Sequence, residues 1–188
     1  MADTNLGNLE RSLTAHTPEA GSAGPQLCGD IDMLIDRDGT WFYHGSPIGR
    51  KPLVKLFAGV LRCDADGAYW LETPVEKCRI RVMDAPSTAV EMTVTGSGRD
   101  QKLSFRTNVD DIVNAGDAHP LRITVDEGTG EPSPYILVRD RLEALIVRAV
   151  YYDLVELGTD ERIDGEDKYG VWSGGAFFPL GAAGMAED

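Results

Sequence analysis

The stretch Lys77-Cys78-Arg79-Ile80-Arg81-Val82 decides the architecture. Cys78, Ile80 and Val82 alternate with Arg79 and Arg81, the period of two that gives a strand one apolar and one polar face. The alternation recurs downstream. Val90, Met92 and Val94 interleave with Glu91, Thr93 and Thr95, and Gly96-Ser97-Gly98-Arg99-Asp100 turns the chain into residues 102–106. Residues 121–125 and 135–138 are further β-prone runs. Together they predict a mostly antiparallel sheet with one buried face. A helix is predicted over residues 140–157 to cap it, with Leu142, Leu145, Ile146 and Ala149 as the inner stripe and Gly158 as the stop. An acidic loop over 160–167 and a hairpin around Ser173-Gly174-Gly175 complete the C-terminal part.

Upstream of Lys77 the pattern differs. Residues 31–35 and 40–44 flank Asp36-Arg37-Asp38-Gly39, two β-prone runs around an Asp-Gly turn, and so a hairpin. Pro52 suits the first position of a helix, where its missing N–H has no partner to lose. Leu53, Leu56, Phe57 and Val60 then follow the i, i+3, i+4, i+7 spacing of a buried stripe. A strand over residues 68–72 follows, and Pro74 closes this part. The fold predicted is α+β: two packed units of mostly antiparallel sheet, each with one main helix. The boundaries are a disordered tail over 1–29, an N-terminal unit over 30–76, a strand-rich unit over 77–182 and a frayed terminus over 183–188. Each half runs helix, Asp/Gly loop, then a strand with Tyr and Trp (Tyr69-Trp70; Tyr169 and Trp172), the trace of a duplication.

Composition narrows the function classes. The chain has 188 residues and a formal charge of −13. That charge opposes binding to duplex nucleic acid, where affinity comes largely from neutralising phosphates, and opposes docking on anionic membranes. No apolar run approaches the ~20 residues of a membrane span. The N-terminal residues lack the basic-then-apolar pattern of a signal peptide. Cys28, Cys63 and Cys78 form neither a disulfide framework nor a C-x-x-C pair, and are read as small buried hydrophobes. A cytoplasmic protein is expected.

No catalytic signature emerges. Asp36-x-Asp38-Gly39 and Asp64-x-Asp66-Gly67 lack the sixth-position Gly and twelfth-position carboxylate of a calcium loop. Among His16, His44 and His119, only His44 falls in an ordered aromatic setting, and one histidine makes no His-based zinc site. Neither Ser46 nor Ser173 has the surroundings of a nucleophile. No metal, cofactor or catalytic residue is predicted, and the balance is against an enzyme. What stands out is basic. Arg50 and Lys51 precede a helix whose positive end ordinarily attracts acid. Arg79 and Arg106 lie on strands, with Trp41, Tyr43 and His44 beside Arg50 in sequence. Convergent arginines bind phosphate or carboxylate bidentately; pairing with the acidic excess is the other reading of each.

Gly29-Asp30-Ile31-Asp32, residues 38–48, Thr73-Pro74-Val75-Glu76-Lys77, Phe105-Arg106-Thr107-Asn108 and Val171-Trp172-Ser173-Gly174-Gly175 together resemble a bacterial family catalogued only as a domain of unknown function. The resemblance spans residues 29–182. It implies a duplicated α+β core, a C-terminal half superficially like a pleckstrin-homology fold, a nucleotide-like ligand held between the halves, and a part in signal transduction. The expectation is a non-enzymatic sensor or adaptor that binds a small anionic ligand through Arg50, Lys51, His44, Arg79 and Arg106, with Trp41 and Tyr43 as stacking surfaces. A protein-interaction module stays open as the alternative, and a hydrolase of a phosphorylated small molecule ranks last.

Overall fold

The computed structural model describes Gly7, Glu10, Arg11 and residues 24–182. The fold is α+β in two units, Met1–Pro86 and Ser87–Asp188. The boundary therefore follows Pro86 rather than Glu76. The strand expected to open the second unit instead completes the sheet of the first, because it pairs backward with earlier strands. Order also begins before residue 30, in a strand starting at Gln26. Gly7, Glu10 and Arg11 are helical; residues 1–6, 8–9 and 12–23 of the expected tail, and residues 183–188, lie outside the described residues. Among the described residues, no helix is long and apolar enough to cross a membrane.

The first unit contains β1 (Gln26–Ile35), β2 (Trp41–Tyr43), β3 (Ser46–Pro47), α1 (Lys51–Val60), β4 (Leu61–Cys63), β5 (Tyr69–Glu72) and β6 (Glu76–Val82). Its sheet runs β3-β2-β1-β6-β5-β4. The Asp36–Gly39 turn forms as expected, closed by Asp36 N–H to Thr40 O at 2.9 Å. His44 and Gly45, at φ 47° and 73°, make the two-residue turn from β2 to β3, which needs positive φ at both positions. Neighbours are antiparallel except β1 and β6, which are parallel. The chain between them supplies β2, β3, α1, β4 and β5, the long crossover that a parallel pair requires. Met33, Ile35, Trp41, Tyr43, Leu53, Phe57, Leu61, Leu71, Cys78 and Ile80 are buried. Leu53 and Phe57 are the inner face of α1, and Phe57 stacks on Trp41 with ring centroids 6.1 Å apart.

The second unit contains β7 (Ser87–Thr95), β8 (Lys102–Thr107), β9 (Ile112–Asn114), β10 (Leu121–Val125), β11 (Pro132–Arg139), β12 (Leu142–Ile146), α2 (Arg148–Glu156), β13 (Thr159–Ile163), β14 (Glu166–Ser173) and β15 (Ala176–Ala182). One sheet runs β10-β11-β12-β7-β8-β9 and the other β13-β14-β15. The helix expected over 140–157 is only α2. Leu142, Leu145 and Ile146 fit helical spacing, but Leu142, Ala144 and Ile146 also fit alternation, and they are the buried ones. Pairing of β12 with β11 and β7 decides it, after a tight turn in which Asp140 takes φ 47°. The acidic loop over 160–167 is likewise a hairpin, turned at Asp164-Gly165 with Ile163 opposite Glu166. Leu103, Phe105, Ile136, Ile146, Leu154 and Val171 centre this unit's core. Each such side chain contributes about 1.5–3 kcal/mol by leaving water.

Candidate functional site

The alternation of residues 77–82 has a physical outcome on β6. Cys78 and Ile80 point into the core at 4% exposure, while Arg79 and Arg81 stand on the open face. Opposite them β1 is irregular. Asp30 is the register partner of Arg79 and Leu34 that of Arg81. Ile31, Asp32 and Met33 therefore face the single Ile80. A bulge of this kind bends a strand and re-aims its side chains. It opens a cleft of about 760 Å³, lined by Asp30, Ile31 and Asp32 of β1, Gly67, Ala68 and Tyr69, and residues 79–83. A second hollow of about 440 Å³ adjoins Asp32 and Arg81, with Leu34, Asp36, Phe42 and Gly45 as its other walls.

Asp32 organises the charges. Arg81 Nη2 donates to its Oδ1 at 3.1 Å, and Oδ2 lies 3.4 Å from Nδ1 of His44. The His44 backbone N–H donates to the Asp32 carbonyl at 2.9 Å, so the hairpin itself fixes the pair. Tyr43 meets the His44 ring edge-on, centroids 4.3 Å apart. Burial, and then the Asp32 charge, push the Tyr43 hydroxyl above its ordinary range. Arg79 differs from Arg81: among the described residues it forms no ion pair, although Asp30 is its strand neighbour. Residues two apart on one strand face have backbones roughly 7 Å from each other, within the reach of two arginine side chains to one anionic group.

The other predicted residues lie elsewhere. Trp41 and Tyr43, at 1% and 7% exposure, belong to the core; they pack β2 and offer no open ring face for stacking. Arg50 precedes α1, which has no acidic residue in its first turn. Its guanidinium is held by Glu10 at 3.3 Å, an exposed pair. Lys51 opens the same helix and is exposed. Arg106 is in the second unit, bonded to Glu91 at 2.7 Å and Asp110 at 3.4 Å. For Arg50 and Arg106, pairing with acid is what the structure shows. Sequence reasoning places Arg79 and Arg81 on one strand face but does not single out Asp30 or Asp32, which line the cleft beside them. Counting outward from the Asp36–Gly39 turn is the signal that finds Asp32, since Met33 pairs with Tyr43 and Asp32 therefore falls beside His44.

The buried face of β6 carries a different cluster. Sγ of Cys28, Sγ of Cys78 and a carboxylate oxygen of Glu76 all lie within 4.8 Å of one another. Burial pushes the Cys78 thiol up to about 12, with the Cys28 thiol and the Glu76 charge adding to the effect. The expectation of small buried hydrophobes holds for Cys78, whereas Cys28 is exposed and Cys63 half-buried.

Known proteins place the chain in a family. Residues 21–85 match the N-terminal domain of unknown function DUF1285, and residues 86–180 match the C-terminal domain of the protein of unknown function DUF1285. A crystal structure of a DUF1285 family protein from Silicibacter pomeroyi DSS-3 is similar at 45% identity, covering 96% of this chain and 98% of that one, with a TM-score of 0.82. A DUF1285 family protein from Shewanella baltica OS155 is similar at 28% identity, covering 67% of this chain and 91% of its own, with a TM-score of 0.53. No protein of curated function matches. The boundary between the two matched domains falls at the boundary between the structural units, between residues 85 and 87, and the chain belongs to the DUF1285 family.

Proposed function

We propose that this DUF1285 protein is a non-enzymatic sensor or adaptor in signal transduction, and that it binds a small anionic, nucleotide-like ligand in the cleft between β1 and β6. One observation carries the reading. In a chain of net charge −13, Arg79 lines a cleft of about 760 Å³ without an ion-pair partner among the described residues. An arginine in such surroundings ordinarily finds a carboxylate; one left open to a cleft is available to an incoming anion. Arg81 would add a second guanidinium. Asp30 and Asp32 would accept hydrogen bonds from ligand hydroxyl or amino groups, which favours a ligand carrying both an anionic group and donors. Every residue lining the cleft belongs to the first unit, so this reading moves the ligand from the expected junction into one unit.

A thermal-shift screen with nucleotides and phosphorylated metabolites tests it. A ligand at a hundredfold excess over its Kd adds about 2.7 kcal/mol of stability. Arg79→Ala should weaken that ligand tenfold or more, since a charge-assisted hydrogen bond contributes about 1.5–3 kcal/mol. Retained binding in Arg79→Ala, with loss in Arg50→Ala, would move the site to the start of α1. A protein partner is the second reading; the exposed Ile112 and Val125 of the second unit, at 69% and 61%, favour it.

A further inference from the structure

We propose that Cys28, Cys78 and Glu76 form a binding site for one divalent cation of the zinc class, which clamps the outer half of β1 onto β6.

The ligands come from backbone pairing. Alternation along β6 sends Glu76 and Cys78 to the same face, two residues apart. On β1, Gln26 pairs with Glu76 and Leu27 with Lys77, but Cys78 pairs with Gly29. Cys28 is thus the extra residue of a bulge, and Gly29 at φ 76° supplies the left-handed conformation that such a bulge uses. The slip brings Cys28 to the side of the sheet where Cys78 and Glu76 already stand.

The donor set selects the cation. In a tetrahedral zinc site with Zn–S near 2.3 Å, two sulfurs lie about 3.8 Å apart. The three donor atoms here lie within 4.8 Å of one another, so small side-chain rotations close the site. Two thiolates with a carboxylate are a borderline-soft set, suited to zinc rather than magnesium or calcium. Three protein ligands leave a fourth position for water. Charge points the same way. The neighbouring Lys77 ammonium is committed to Asp64 and Glu72 at 3.3 Å each. The Glu76 carboxylate forms no ion pair among the described residues. A disulfide would join the sulfurs but leave that carboxylate unused. Access is open, because Cys28 is exposed while Cys78 forms the buried floor.

Residues 26–30 of β1 are all exposed, so little apolar burial holds them to β6. A cation bonded to both strands would. Binding releases the thiol protons, so it strengthens as pH rises.

Reduced full-length chain, kept in a thiol-free reductant, is titrated with Co2+ and then Zn2+. One equivalent of Co2+ should give a sulfur-to-cobalt charge-transfer band, Zn2+ should displace it, and Zn2+ should raise the melting temperature. Cys28→Ser changes an exposed residue and should abolish the band without unfolding the chain. Loss of a metal ligand should exceed the roughly 10–100-fold penalty of losing an outer partner. Glu76→Gln keeps a neutral oxygen donor in place of the carboxylate, and so should weaken Zn2+ less than loss of a thiolate does, by at least tenfold. The proposal is overturned by absence of the band in the reduced wild-type chain, or by a band that survives Cys28→Ser. It is equally overturned if the unreduced chain holds a Cys28–Cys78 disulfide and the reduced chain takes up no metal.

Discussion

Each unit of the chain contains the same succession, a helix followed by a three-stranded meander: α1, β4, β5, β6 in the first and α2, β13, β14, β15 in the second. The two copies end differently. In the first, β6 takes β1 alongside in parallel, and the meander becomes half of a six-stranded sheet. In the second, the meander remains a sheet of three strands. The tryptophans register the difference. Each carries a cation over its ring, Lys77 at 4.9 Å from the Trp70 centroid and Arg99 at 5.0 Å from that of Trp172. Trp172 also donates its ring N–H to Glu161 at 3.1 Å, whereas the buried ring N–H of Trp70 has no partner among the described residues. Arg99, Arg106, Arg122, Arg139, Arg148 and Arg162 of the second unit all pair with acid. Arg79 of the first does not. Ion pairing as such does not divide the units, since Arg37, Arg50 and Arg81 of the first do meet acid and Arg141 of the second forms no ion pair among the described residues; the difference between the two meanders rests on Trp70 and Trp172.

The contrast between the units can be tested at several strengths. The largest effect is expected in the cores. Phe57→Ala and Phe105→Ala each empty a fully buried position and should cost about 3–5 kcal/mol, measured by denaturant unfolding; a loss below about 1 kcal/mol at either would mean that unit's core is misassigned. Next comes Ser173. Its Oγ donates to Ala115 O at 2.7 Å and accepts from Leu103 N–H at 3.0 Å, so it ties the meander to β8 inside the core. Ser173→Ala leaves both groups unsatisfied and should cost about 2–4 kcal/mol. Thr73, at the corresponding strand end of the first unit, bonds only within its own turn, and Thr73→Ala should cost about 1 kcal/mol. Equal losses would put the two strand ends on the same footing and remove the contrast.

A smaller effect follows acidification. Hydrogen bonds from Arg99 and then Trp172 hold the Glu161 carboxyl below the usual glutamate range. A depressed folded value stabilises the protein above the unfolded value, and that contribution is lost as pH falls through the folded one. Trp172 fluorescence should therefore change below the ordinary glutamate range, and Glu161→Gln should remove the transition. The smallest effect is on the stability of Arg79→Ala, within about 0.5 kcal/mol as for other exposed positions. A larger loss in chemical denaturation would show Arg79 to be part of the fold.

Local signals carry most of the fold. The Asp36–Gly39 turn and the Ser173-Gly174-Gly175 hairpin are readable because turn residues and alternation sit side by side in sequence. Two misreadings come from competing periods and charge. Residues 142–146 satisfy both helix and strand spacing, and only pairing with β7 and β11 separates them. The run from Asp160 to Asp167 reads as a solvated loop because its acidity masks an Asp-Gly hairpin. The site is less legible for a different reason. Arg79 can be found on its strand, but its setting depends on β1 lying parallel to β6. A parallel pair has no turn to announce it, and its register can slip without a mark in either strand. Both the cleft beside Asp32 and the meeting of Cys28 with Cys78 come from those slips.

The outer strands of the first unit's sheet are β3, two residues long and containing Pro47, and β4, three residues long. A proline removes one ladder donor, and strands this brief offer a visiting chain almost no backbone to pair with. Strand addition by an extended peptide is thereby discouraged at both flanks. Both proposed sites accordingly use side chains on the faces of the sheet, where the arginines and the cysteine pair are found.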